Sequence, residues 1–172
     1  TAQPRLGVRG GAFEVGASTV TSGGNGGGIK AAINLPTSST SALRVVVYDD
    51  QLPGFISAFG PNGSVKKNAN SGQKYGTRVA LMWQPTDTLT VTPRYVYQKL
   101  ETDGYPRIDY YNILGNQYTT TEPKVFLGER GQYRQFKEGI DDAFQLADVK
   151  IAANLGATTL TSITSYTYRK IT

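Results

Sequence analysis

The side chains that most often do chemistry are partly missing from this chain. Its 172 residues include no histidine and no cysteine. That removes the commonest general base, the commonest metal ligand, thiolate sites and any disulfide framework. Two carboxylate pairs remain, Asp49-Asp50 and Asp141-Asp142. Adjacent residues of a strand project to opposite faces, so neither pair can act on one substrate. No serine sits in a Gly-x-Ser-x-Gly elbow. The run Gly23-Gly24-Asn25-Gly26-Gly27-Gly28 could cradle a phosphate, but neither a lysine-serine/threonine pair nor an amphipathic helix follows it. A flexible hairpin loop over 19–28 is the better reading. The chain is expected to be no enzyme, with no catalytic residue, metal or cofactor.

Two sets of residues could bind rather than react. The first is basic and spread along the chain: Lys30, Arg44, Arg78, Arg94 and Lys150. The second is concentrated in 104–140, where Tyr105, Arg107, Asp109, Tyr110, Tyr111, Tyr118, Arg130, Tyr133 and Arg134 supply the aromatic and guanidinium groups favoured at ligand contacts. Each set has a plainer reading. The cations could solvate a water-filled interior, and the tyrosines could form an interfacial girdle or pack the loop. The net charge of +5 is modest and dispersed apart from Lys66-Lys67, so no nucleic-acid stripe is present.

These residues must be positioned by strands. Tyr75 to Lys99 reads as a β-hairpin, two alternating runs around a Pro/Asp turn. Val79, Leu81 and Trp83 share a face, with Leu89, Val91, Pro93, Tyr95 and Tyr97 on the second strand. Arg78 and Arg94 project from the other face, with the register placing Arg94 opposite Arg78 or opposite Ala80. The pattern repeats over Arg5–Ala17, where Gly10-Gly11 suggests a bend, over 29–35, 43–48 and 147–154, and over a last strand from Leu160 to Tyr168. Short connections near 36–41, 85–88 and 155–157 alternate with irregular ones near 18–26, 50–74 and 104–140. An up-and-down antiparallel meander of about seven long strands, with every long loop at one end, is the simplest geometry that gives this. No apolar run approaches the roughly 20 residues of a spanning helix, whereas strands of about 10 residues with asymmetric loops are the outer-membrane barrel pattern.

Taken in order, several stretches resemble the TonB-dependent outer-membrane receptors. They are Ala32-Ile33-Asn34-Leu35-Pro36 with Ala42-Leu43-Arg44, Pro53-Gly54-Phe55-Ile56, Gly76-Thr77-Arg78-Val79-Ala80-Leu81, Trp83-Gln84-Pro85 with Leu89-Thr90, Tyr97-Gln98, and Leu160 through Tyr166. The resemblance is to the barrel strands directly after the plug domain and covers nearly the whole chain. It implies an all-β partial wall, residues 1–172, of a 22-stranded transmembrane barrel in the bacterial outer membrane. Such receptors take up a scarce nutrient, such as an iron-siderophore complex. The implied partners are outer-membrane lipid, the plug and remaining strands, the inner-membrane TonB complex, and a small-molecule substrate met by the 104–140 loop. Plug, TonB box, signal and C-terminal aromatic strand find no counterpart, so the chain is expected to be a piece of a longer receptor and inactive alone. The competing expectation is a soluble β-sandwich or jelly-roll binding module, for example for carbohydrate. That fold would bury Trp83, Leu81 and Val91 under a second sheet.

Overall fold

A computed structural model describes residues 2–60, 63–111 and 126–172. Among them are ten strands: β1 Gly10–Thr19, β2 Asn25–Pro36, β3 Ser41–Leu52, β4 Ser57–Phe59, β5 Val65–Lys66, β6 Gly72–Thr86, β7 Leu89–Thr102, β8 Gly131–Tyr133, β9 Ile140–Asn154 and β10 Thr159–Ile171. Seven of them form one sheet in the order β1-β2-β3-β6-β7-β9-β10. Every neighbouring pair in it is antiparallel. The fold is therefore an all-β, up-and-down meander. Its connections alternate as the sequence suggests, with 37–40, 87–88 and 155–158 at one end and 20–24, 53–71 and 103–139 at the other. Gly156, with φ of +88°, makes the last short turn.

Three local expectations are corrected. Residues 5–9 are not strand, and Gly10-Gly11 makes no bend, because β1 pairs with β2 without interruption from Gly10↔Asn34 to Thr19↔Asn25. The glycine-rich stretch is not all loop, since β2 begins at Asn25. Glycine is required at Gly26 by a close backbone: a Cβ there would lie 2.5 Å from the Gln51 carbonyl and 2.6 Å from Pro53 Cδ. The long loops also hold structure of their own. β4 pairs antiparallel with β5 and parallel with β8, making a three-stranded sheet that joins the 53–71 and 103–139 connections.

The pairings extend the two faces of the hairpin across the whole main sheet. Val45, Val79, Tyr95 and Ala147 form one cross-strand row, continued by Tyr166. Trp83 pairs with Val91, and Val91 with Ile151. Large apolar side chains on this face stay exposed: Phe13 by 69%, Trp83 by 48% and Ile151 by 41%. A sandwich would cover them. The opposite face is the more buried one, with Asn34, Ala42, Arg78, Ala80, Thr92 and Asp148 all on it and nearly inaccessible.

Candidate functional site

Strand alternation places Lys30 of β2, Arg44 of β3, Arg78 of β6, Arg94 of β7 and Lys150 of β9 on the polar face. Pairing brings three of the five together. Arg44 is opposite Ala80, and Ala80 is opposite Arg94, with Arg78 one step along the same face of β6. This is the second of the two registers expected for the arginines. Lys30 and Lys150 are exposed, and Lys30 lines a cleft that also borders Arg78.

Among the described residues one carboxylate bonds to this group. Asp148 pairs with Arg94 across β7 and β9, and its Oδ2 accepts from Arg94 Nε at 2.7 Å. Its side chain is only 5% exposed. Asp148 escaped the sequence reading although its polar-face parity in β9 was visible. What places it against Arg94 is a register set across the long 103–139 connection. Among the described residues Arg78 has no such partner. Its Nη1 donates to the carbonyl of Ala2 at 2.8 Å, while its Nε and Nη2 are buried without a partner, as is Arg44 Nε. Arg94 and Arg44 both repel the Arg78 charge and Asp148 attracts it. Each unmet buried donor costs about 1–3 kcal/mol, and three arginines against the Asp148 carboxylate leave this part of the described wall with an excess of positive charge.

The segment preceding β1 lies over this wall. Asn34 holds it with three bonds: its Oδ1 accepts from Arg5 N at 2.9 Å, and its Nδ2 donates to the carbonyls of Arg5 at 2.9 Å and Val8 at 2.6 Å. Pro4, within this strap of residues 2–8, is fully buried. An asparagine amide is both donor and acceptor, and this one satisfies a non-strand backbone that has no ladder partner.

The loop candidates gather in the cap built on β4, β5 and β8, and most of their guanidinium groups are already engaged. Arg107 bridges Asp109 at 3.3 Å and Glu138 at 3.4 Å. Arg130 donates to the Thr21 carbonyl and lies 5.8 Å from the Phe55 ring centre. Arg134 is buried and donates to the Asp103 carbonyl at 2.9 Å, so it ties the cap together rather than facing outward as a ligand contact. Tyr133 is half-buried in β8, and its N–H donates to Asp109. Tyr105, Tyr110 and Tyr111 are exposed. Tyr110 stacks on Phe126, and Tyr111 meets the same ring edge-on. Tyr118 lies outside the described residues.

Asp103 fastens the cap to the rim of the main sheet. It meets Lys137 at 2.8 Å and Lys66 at 3.0 Å. Hydrogen bonds from Lys137 and then Lys66 hold its carboxyl below the usual carboxylate range, against the opposing effect of burial. Asn70 closes the cap core by accepting from Phe55 N and Ile56 N. Among the described residues no three His, Cys, Asp or Glu side chains converge as a metal site. The arrangement can bind anions on its wall and present aromatic rings at its cap. Comparisons of the chain with protein-family models, with curated proteins and with solved structures gave no match.

Proposed function

We propose that this chain is part of the wall of an outer-membrane barrel that serves TonB-dependent uptake of a scarce nutrient such as an iron-siderophore complex. One observation supports this most: a wide antiparallel meander leaves its apolar face exposed and sets its mid-strand cations Arg44, Arg78 and Arg94 on the opposite, more buried face, while Lys99 and Lys170 of the apolar face stand at its long-loop end. Bilayer energetics favour that polarity, because a lysine or arginine on the lipid face near the midplane costs about 2–4 kcal/mol. The aromatic residues fit the same reading. Tyr75 and Tyr97 adjoin on the apolar face near the long-loop end, with ring centres 6.4 Å apart, and Trp83 stands near the short-turn end of β6. Tyr75 and Trp83 are roughly 26 Å apart along the strand at about 3.3 Å per residue. At a tilt of about 40° that becomes about 20 Å, close to the apolar band of such barrels.

In this reading lipid meets the apolar face, a plug domain meets the polar face, and the cap forms part of the outward mouth where solute arrives. The seven strands are about a third of the wall that a plugged 22-stranded barrel needs, so transport belongs to the complete receptor with its TonB complex. The test is uptake by a receptor carrying this wall, with Arg78 and Arg94 both replaced by glutamine. The expected result is weakened uptake, or a loosened plug, with normal barrel assembly. Unchanged uptake in the double variant would contradict the proposed role of the polar wall.

A further inference from the structure

The way Arg78 is left unsatisfied has a specific chemistry. Its Nη1 is taken by the Ala2 carbonyl. The remaining buried donors, Nε and Nη2, form the side-on edge of the guanidinium, the fork that accepts two oxygens of one carboxylate or phosphate. Arg78 is itself only 9% exposed, so bulk water does not serve this edge. Arg44 adds a second buried, unpartnered Nε. Asp148, the carboxylate whose charge acts on Arg78, is hydrogen-bonded to Arg94. An open cleft of about 500 Å³ borders Arg78 and is also lined by Lys30 and Lys74, with Glu14 and Asp50 as its acidic groups.

We propose that the Nε–Nη2 fork of Arg78, assisted by Arg44, binds an oxyanion, a carboxylate or phosphate group, beneath the strap formed by residues 2–8. The strap supplies the Ala2 carbonyl that fixes the ring of donors. The neighbouring cleft, with its two lysines, is the route by which an anion reaches them. Because the fork is buried, entry shifts the strap where it crosses Arg78, while the Asn34 bonds to Arg5 and Val8 keep the rest of it in place. The site belongs to the polar face itself and does not depend on what covers the apolar face.

The test follows the arginine Nε–H resonances of the full chain, folded in detergent micelles, by nitrogen-15 NMR. The Arg78 signal is the one lost in Arg78→Lys, a variant that keeps the charge but removes the fork. Two probes are titrated separately, inorganic phosphate and a short end-capped peptide containing one glutamate. A saturable shift of the Arg78 signal is expected, weakened several-fold in Arg44→Gln and absent at Arg169, whose fork is filled by Asp142. Saturation by phosphate at the lower concentration assigns the site to a free anion. Saturation by the peptide at the lower concentration assigns it to a side-chain carboxylate. No saturation by either probe, or an equal shift at Arg169 that marks an adventitious ion only, overturns the proposal. The wild-type titration decides this even where a variant fails to fold.

Discussion

Arg94 and Asp148 meet at 2.7 Å, with the carboxylate almost wholly enclosed and the guanidinium about a quarter exposed. Replacing Asp148 by asparagine leaves Arg94 beside Arg78 with no compensating charge. We expect Asp148→Asn to lower stability by about 1–3 kcal/mol, read as a fall in the urea midpoint of the micelle-folded chain. Asp142→Asn serves as comparison, because its partner Arg169 is largely solvated and exposed pairs are worth only about 0.2–1 kcal/mol. Equal effects of the two would mean that burial on the polar face is unimportant. Arg78 gives the opposite sign. An enclosed charge with unmet donors burdens the fold, and well-packed apolar replacements of such groups are often neutral or stabilising by about 1–4 kcal/mol. Arg78→Met should therefore raise the urea midpoint in anion-free buffer. A clear fall in that midpoint would show that the fork is already satisfied within the chain.

The cap depends on Asp103, and the pH dependence of its contribution has a definite sign. Its folded-state carboxyl lies below the ordinary range, so its stabilisation is complete above the unfolded value, near 3.9. That stabilisation is lost as pH falls through the lower folded value. Protection factors of the amides in β4, β5 and β8, which remove the pH dependence of intrinsic exchange, should hold from neutral pH down to about pH 4 and fall below it. Asp103→Asn should lower them at neutral pH as well, while β6 and β7 remain protected. In the main sheet, a Cβ on Gly76 would lie 2.5 Å from the Tyr97 carbonyl and 2.8 Å from Tyr48 Oη. Gly76→Ala should then cost about 1–3 kcal/mol through forced movement of β6 against β7.

These elements also show what a sequence reveals. The hairpin around Trp83 was legible because alternation and turn residues are local signals, and the polar-face placement of Arg78 and Arg94 followed directly. The strand start at Asn25 was not, because Gly26 to Gly28 look like loop until β3 is beside them. The cap sheet was hidden for the same reason: β4 and β8 have three residues each and find each other across a wide sequence gap. Asp148 needed a register that no local pattern carries.

For the whole molecule, β1 and β10 are the two edges of the main sheet, and both are exposed along their length. Unpaired edges beside a wide apolar face invite association in water. The chain is expected to aggregate in plain buffer and to need detergent or lipid. A monodisperse monomer that unfolds cooperatively in buffer alone would argue against membrane residence. Trp83 offers the most direct test, because it is the one tryptophan in the chain and lies exposed on the face assigned to lipid. Fluorescence of the chain folded into vesicles should be measured with lipids brominated either near the headgroup or near the acyl terminus. The account predicts a blue-shifted emission, quenched strongly by both lipids and more strongly by the headgroup-proximal bromine, as suits an interfacial position near the short-turn end. Emission unchanged by either lipid, in a chain whose sheet is intact by circular dichroism, would contradict the claim that this face meets the membrane.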